Sequence, residues 1–140
     1  MSKRNRKSGY SLVEVVVALS VIVIVSVSAL SIVLSSIATK TAAINRAHAQ
    51  GFAENVWESF KSADSQDEFI SLVDFSEGIV LSDGINDDNG NTVYTYCSEK
   101  YKFTADITVG YREGERPELK IFVADKDGDE IVLLDYKKGA

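Results

Sequence analysis

A single carboxylate, Glu14, stands where a basic tail gives way to an apolar run. Lys3, Arg4, Arg6 and Lys7 make the tail, Ser8 and Gly9 end it, and Tyr10-Ser11-Leu12-Val13 lead into Glu14. From Val15 to Thr39 no residue is charged. As a helix rising ~1.5 Å per residue this stretch is about 37 Å long, and a bilayer core is about 30 Å thick. A carboxylate at the edge of such a span is costly unless a cation partners it, which makes Glu14 a candidate functional residue. Its chemistry would be charge neutralisation at low dielectric, where a paired charge is tolerated and a lone one is not.

Elsewhere the chain offers little for catalysis. It has one His (His48), one Cys (Cys97), no Gly-rich phosphate loop and no His-metal cluster, so no nucleophile and base can be paired. We expect no enzymatic activity and no cofactor. Cys97 cannot form an intrachain disulfide and reads as a small buried hydrophobe on a strand. His48 reads as a surface residue, and Trp57, beside Phe60, as helix–sheet packing. Asp125, Asp127 and Asp129, followed by Glu130, invite a calcium reading, because alternating Asp with a Gly opens a helix–loop–helix calcium site. The full motif needs a Glu six residues past the Gly, and Leu133 and Leu134 stand near that place. A hairpin turning at Asp127-Gly128 explains the segment better. Asp83, Asp87 and Asp88 are a second, equally weak group of oxygen donors.

The elements that position these residues are legible in outline. No Pro interrupts Ser11 to Ser62, and Gly51 is the one weak point, so a continuous helix of about 50 residues, roughly 75–80 Å long, is expected. Val and Ile are poor helix formers in water, yet in lipid a lone span must be helical to satisfy its own backbone. Ser28, Ser31 and Ser35 share one face at i, i+3, i+7 spacing. Either they let neighbouring helices approach closely or their hydroxyls bond back to the helix backbone; both readings stay open. Beyond Lys40 the helix turns amphipathic, with Phe52, Val56 and Phe60 on one stripe beside Ala49 and Ala53. Asp64 or Ser65 is placed to cap a short helix through Phe69 and Leu72. Ile79-Val80-Leu81 reads as a short strand, and Asp83 to Asn91, rich in turn formers, as an exposed loop. Four strands follow: Thr92–Cys97, Tyr101–Val109, Glu118–Ala124 and Glu130–Tyr136. The expected fold is α+β, a long N-terminal helix packed by its C-terminal half on a four-stranded antiparallel meander.

Charge is distributed as sharply as hydropathy. The net charge is −6, with 15 Lys and Arg against 21 Asp and Glu. Four of the cations sit in the tail and one is Lys40, while Glu14 is the one acid before residue 41. Basic before the span and acidic after it puts the N-terminus in the cytoplasm and the remainder outside. An acidic exterior also lacks the cations that a grip on nucleic acid requires, so no direct nucleic-acid contact is expected. The expected organisation is a leader at 1–9, a transmembrane helix at 10–40 and an extracytoplasmic head at 41–140. A secretory signal has a shorter apolar core of about 7–15 residues and its small-residue cleavage site after that core, not before it.

Together, the basic tail ending at Gly9, the aromatic Tyr10, Glu14 four residues on and the long apolar run resemble the N-terminus of type IV prepilins and pseudopilins. The resemblance covers roughly the first 40 residues. It implies cleavage between Gly9 and Tyr10 by a membrane aspartyl prepilin peptidase, N-methylation of Tyr10, and a pilin-like fold. A side-chain-free residue such as Gly9 leaves the cleaved bond unhindered. It implies, too, that Glu14 neutralises the new amine of Tyr10, in its own chain or a neighbour's, and so sets the register of assembly. Most relatives carry Phe where this chain has Tyr10, and many major pilins carry Pro where it has Ser31, which points to a minor pilin or pseudopilin. The implied partners are other pilin or pseudopilin subunits, the peptidase, a filament assembly platform and the bacterial cytoplasmic membrane. Pilus, secretion and DNA-uptake filaments share this N-terminus. The competing reading is a signal-anchored, monomeric extracellular binding domain, uncleaved and outside any filament.

Overall fold

The first helix, α1, runs from Leu12 to Ser62 without a break in the computed structural model, which describes residues 11–139. These residues fall into two compact units divided between Lys40 and Thr41, a boundary that lies inside α1. In the first unit every described residue is exposed, including Leu12, Val17, Ile24, Leu30 and Ile37. A helix apolar all round finds no core within its own chain to bury it. α1 is long and apolar enough to cross a membrane.

In the second unit α1 has one buried stripe, made by Ala49, Phe52, Ala53, Val56, Ser59 and Phe60. Their spacing of three and four residues puts them on one helix face. Helix α2 (Gln66–Leu72) follows, capped by Ser65, whose hydroxyl accepts the Glu68 N–H at 3.3 Å, while the Glu68 carboxylate accepts the Asp64 N–H at 2.8 Å. Gln66 at its start donates to the Tyr94 hydroxyl at 2.9 Å, tying the short helix to the sheet.

The sheet is an antiparallel meander of β1 (Ile79–Asn86), β2 (Thr92–Ser98), β3 (Phe103–Gly110), β4 (Glu118–Asp125) and β5 (Glu130–Lys137), in that spatial order. The α+β architecture is the expected one, but the sheet has five strands rather than four. The additional strand, β1, runs from Ile79 into the segment expected to be loop. Ser82-Asp83-Gly84 interrupts the alternation of apolar and polar residues that marks a strand. The backbone absorbs the interruption with register shifts at Val80/Ser82 and Ser82/Ile85 and a positive φ of 75° at Gly84. Irregularity of this kind belongs on a sheet edge, where β1 lies.

Tyr96, Phe103, Ala105, Ile107, Val109, Leu119, Ile121 and Val123 alternate onto the face covered by α1. Thr104, Asp106 and Thr108 point the other way. Cys97, on that other face of β2, is half-buried rather than buried. Phe60 anchors the core, with ring centroids 5.9 Å from Phe69, 5.5 Å from Tyr111 and 6.2 Å from Tyr136. Near the chain end, Lys138 donates to the Ala63 carbonyl at 2.6 Å and to Asp64 at 3.1 Å. A cation here complements the negative end of the helix dipole.

Two outcomes follow from this core. Phe60→Ala should cost about 3–5 kcal/mol, read as a lower denaturant midpoint. The Tyr111 hydroxyl is buried without a hydrogen-bond partner, and burial, with Asp64 and Glu68 nearby, pushes its pKa up to about 12. The unfolded chain therefore releases this proton first, near pH 10, and stability should fall as the pH rises from there towards 12. Tyr111→Phe should flatten that alkaline loss and leave neutral stability equal or higher, as measured by chemical denaturation across pH 8–12.

Candidate functional site

Helix α1 opens at Ser11, whose carbonyl accepts the Val15 N–H at 3.2 Å. Glu14 therefore lies in the first turn, where unsatisfied N–H groups and the helix dipole favour a negative charge. Its side chain is exposed and has no ion-pair partner among the described residues. Gly9 and Tyr10, read as the cleavage and methylation positions, lie outside the described residues. Glu14 is thus the acid in the first turn of an apolar helix.

The serines of the same unit are disposed as follows. Ser28 and Ser31 donate to the carbonyls of Ile24 and Val27 at 2.9 and 3.0 Å, and Ser20, Ser26 and Ser36 make the same i−4 bond. The Ser35 carbonyl accepts from Thr39. At Ser20, Ser26, Ser28, Ser31 and Ser36 these bonds keep the hydroxyl protons inside the helix's own hydrogen-bond system. Back-bonding and close packing are thus compatible.

The acidic turns of the head have the same construction twice. Asp87 accepts N–H bonds from Asn89 and Asn91 at 2.9 and 2.7 Å; Asp125 accepts them from Asp127 and Asp129 at 2.9 and 3.0 Å. In both, a Gly three residues after the Asp takes a positive φ, 77° at Gly90 and 87° at Gly128. The repeated Asp-x-x-Gly is the signal of these hairpin turns. In the first, the Asn91 N–H holds the Asp87 carboxyl below the usual carboxylate range. Among the described residues no group of three or more His, Cys, Asp or Glu side chains is arranged to hold a metal. Asp125, Asp127 and Asp129 belong to one turn whose leading carboxylate already serves two amides.

Two arrangements were not legible in the sequence. Arg112 donates to Asn91 at 2.6 Å and Glu115 at 3.1 Å and lies 3.7 Å from Glu118, which also pairs with Lys137 at 3.1 Å. This network joins the β1–β2 turn, the β3–β4 loop and β5. Gly110 has no room for a side chain there, since a Cβ would come within 2.5 Å of Asn91 Oδ1. His48 does more than lie on the surface: it stacks on Tyr101 with centroids 3.6 Å apart and approaches Glu77 at 3.7 Å. Trp57 packs helix against sheet as expected, edge-on to Tyr136 at 6.3 Å, and carries Lys61 over its ring at 4.2 Å.

Residues 4–30 match the family model of the prokaryotic N-terminal methylation motif. The chain carries a type IV prepilin-type cleavage and methylation segment. That segment covers the end of the basic tail, Gly9, Tyr10, Glu14 and the apolar helix as far as Leu30. No curated protein and no solved structure matches the chain significantly. The prepilin-type segment and the apolar first unit of α1 fit a protein anchored in the cytoplasmic membrane with its head outside.

The acidic turns generate a prediction. Asp125→Asn should retain the hairpin, because an amide oxygen accepts the same N–H bonds, whereas Asp125→Ala should cost about 1–2 kcal/mol. Millimolar calcium should leave the melting temperature of the native chain unchanged, since a ligand that does not bind the folded state cannot shift it.

Proposed function

We propose that the chain is a structural subunit, a minor pilin or pseudopilin, of a type IV pilus-like filament. The observation that carries this reading is one coincidence. The methylation motif of residues 4–30 overlaps a helix that is apolar on all sides and bears one acid in its first turn. On this reading residues 1–9 are the leader, 10–40 the membrane and filament-core segment, and 41–140 the head. A prepilin peptidase cuts between Gly9 and Tyr10 and methylates the amine of Tyr10. The protein is a substrate in that reaction and is itself no enzyme.

Glu14 then has a defined role. Apolar helices alone slide past one another, because dispersion and hydrophobic forces have little directionality. An ion pair between Glu14 and the Tyr10 amine of a neighbouring subunit would fix the axial step. At low dielectric, misregister leaves both charges unpaired, which is strongly penalised. The exposed Val, Ile and Leu side chains around α1 supply the packing surface, and Ser28, Ser31 and Ser35 allow close approach. The assembly platform and other subunits are the partners, whether the filament serves adhesion, secretion or DNA uptake.

Intact mass and N-terminal sequencing of the protein from its native membrane test the reading first. The expected chain begins at Tyr10 and is heavier by one methyl group; a chain that still begins at Met1 or Ser2 overturns the proposal. Gly9→Val should retain the leader. Glu14→Gln should be cleaved but incorporated into sheared filaments at a small fraction of the native level, quantified by immunoblot. Normal incorporation of that variant would remove Glu14 from the mechanism.

A further inference from the structure

β5 closes the sheet, and its outer side pairs with no strand among the described residues. Alternate residues of such an edge turn their N–H and C=O groups outward, unpaired. The sequence of β5 does not suit that position. Ile131-Val132-Leu133-Leu134 is a continuous apolar run, the pattern of a strand covered on both faces. Yet Leu133 is 65% exposed and its neighbours in the run are half-buried, whereas Leu119, Ile121 and Val123 on β4 are fully buried. The opposite edge differs. β1 is broken by two register shifts and by Gly84 at positive φ, devices that blunt an edge against pairing. β5 keeps unbroken register with β4 from Val132 to Lys137.

The same run forms one wall of a groove of about 510 Å³, and Gln50, Ala53, Glu54 and Trp57 of α1 form the other. Trp57 is half-buried, and its indole N–H is buried without a hydrogen-bond partner. A buried donor left unpaired is costly, and no described residue supplies its acceptor. Unpaired charge beside the groove is of one sign. Glu54 in its wall and Glu130 at the start of β5 form no ion pair among the described residues. By contrast, Asp135 is met by Lys120 at 3.6 Å and Lys137 by Glu118 at 3.1 Å.

We propose that β5 and this groove receive an extended segment of another polypeptide, added to the sheet as a further strand. Its backbone pairs with the free edge and its alternate apolar side chains enter the groove. One of its carbonyls accepts the indole N–H, and basic ends meet Glu54 and Glu130. A second copy of this chain does not meet these demands. β5 runs in the same sense as α1, from Ile131 near Asn45 to Tyr136 beside Phe60. Two β5 edges related by a two-fold axis pair antiparallel and aim their α1 helices opposite ways. Chains entering from one membrane face cannot do so, and a neighbour's β1 is the blunted edge. The head thereby gains a peptide-binding activity that does not depend on cleavage or filament assembly.

The test titrates the full-length ¹⁵N-labelled chain, in detergent micelles, with acetyl-Lys-Val-Thr-Val-Thr-Val-Lys-amide and follows it by NMR. The chain has one Trp, so its indole signal is unambiguous. Saturable shifts are expected at that indole and at the amides of Ile131–Leu134, with a dissociation constant on the order of 1 mM. The same peptide with Pro as its central Val lacks a backbone donor and should bind at least about tenfold more weakly. Leu133→Lys puts a charge where the added strand would cover it, and should also weaken binding at least about tenfold. Because Leu133 is exposed, the shifts of β1 to β3 should stay unchanged in that variant. Four outcomes overturn the proposal: no saturable shift in the native chain, equal affinity for the Pro peptide, undiminished binding by Leu133→Lys, or shifts at Ile131–Leu134 that follow protein concentration without peptide. The last would assign the edge to a second copy.

Discussion

A helix that presents Val, Ile and Leu on every side from Leu12 to Ile37 cannot rest in water, and the remaining features of the chain answer to that constraint. Every backbone polar group along this stretch must be satisfied within the helix, because lipid or a packed bundle offers none. Ser20, Ser26, Ser28, Ser31 and Ser36 obey the same rule by donating to carbonyls four residues back. One charge is admitted, Glu14, and it sits in the first turn, where the helix dipole favours it most. The match to a prepilin-type segment, over residues 4–30, includes Glu14.

From Ala49 onwards the same helix faces a different problem, and its residues change accordingly. A stripe of Ala, Phe and Val replaces the all-round apolar surface and is covered by one face of a five-stranded sheet. Aromatic contacts join the elements: Phe52 meets Tyr96 and Phe103, and Phe60 meets Phe69, Tyr111 and Tyr136. Polar bonds then close the unit at its ends. Lys138 reaches the carbonyl just past the end of α1, and Arg112 ties a turn, a loop and the last strand through Asn91, Glu115 and Glu118.

The head's charges are numerous but mostly occupied. Asp87 and Asp125 organise hairpin turns, and Glu118 is held by Lys137 and Arg112. Asp74 and Glu77 line a cleft beside Gly51, with His48 3.7 Å from Glu77.

What the sequence by itself determined is whatever depends on neighbours along the chain. The apolar run and its single acid, the amphipathic switch after Lys40, the Ser65 cap and the alternating strands β3 and β4 are local patterns, and the structure contains them. Strand β1 escaped because Ser82-Asp83-Gly84 carries turn propensity, while its strand geometry comes from pairing with β2. The tertiary structure alone decided which distant groups meet. Arg112 and Asn91, Lys138 and Ala63, and His48 and Glu77 are 21, 75 and 29 residues apart, brought together by sheet register and helix packing. The cleft has the same origin: Gly51, Asp74 and Tyr96 are unremarkable one by one, and only the burial of α1 against the sheet puts them around one space.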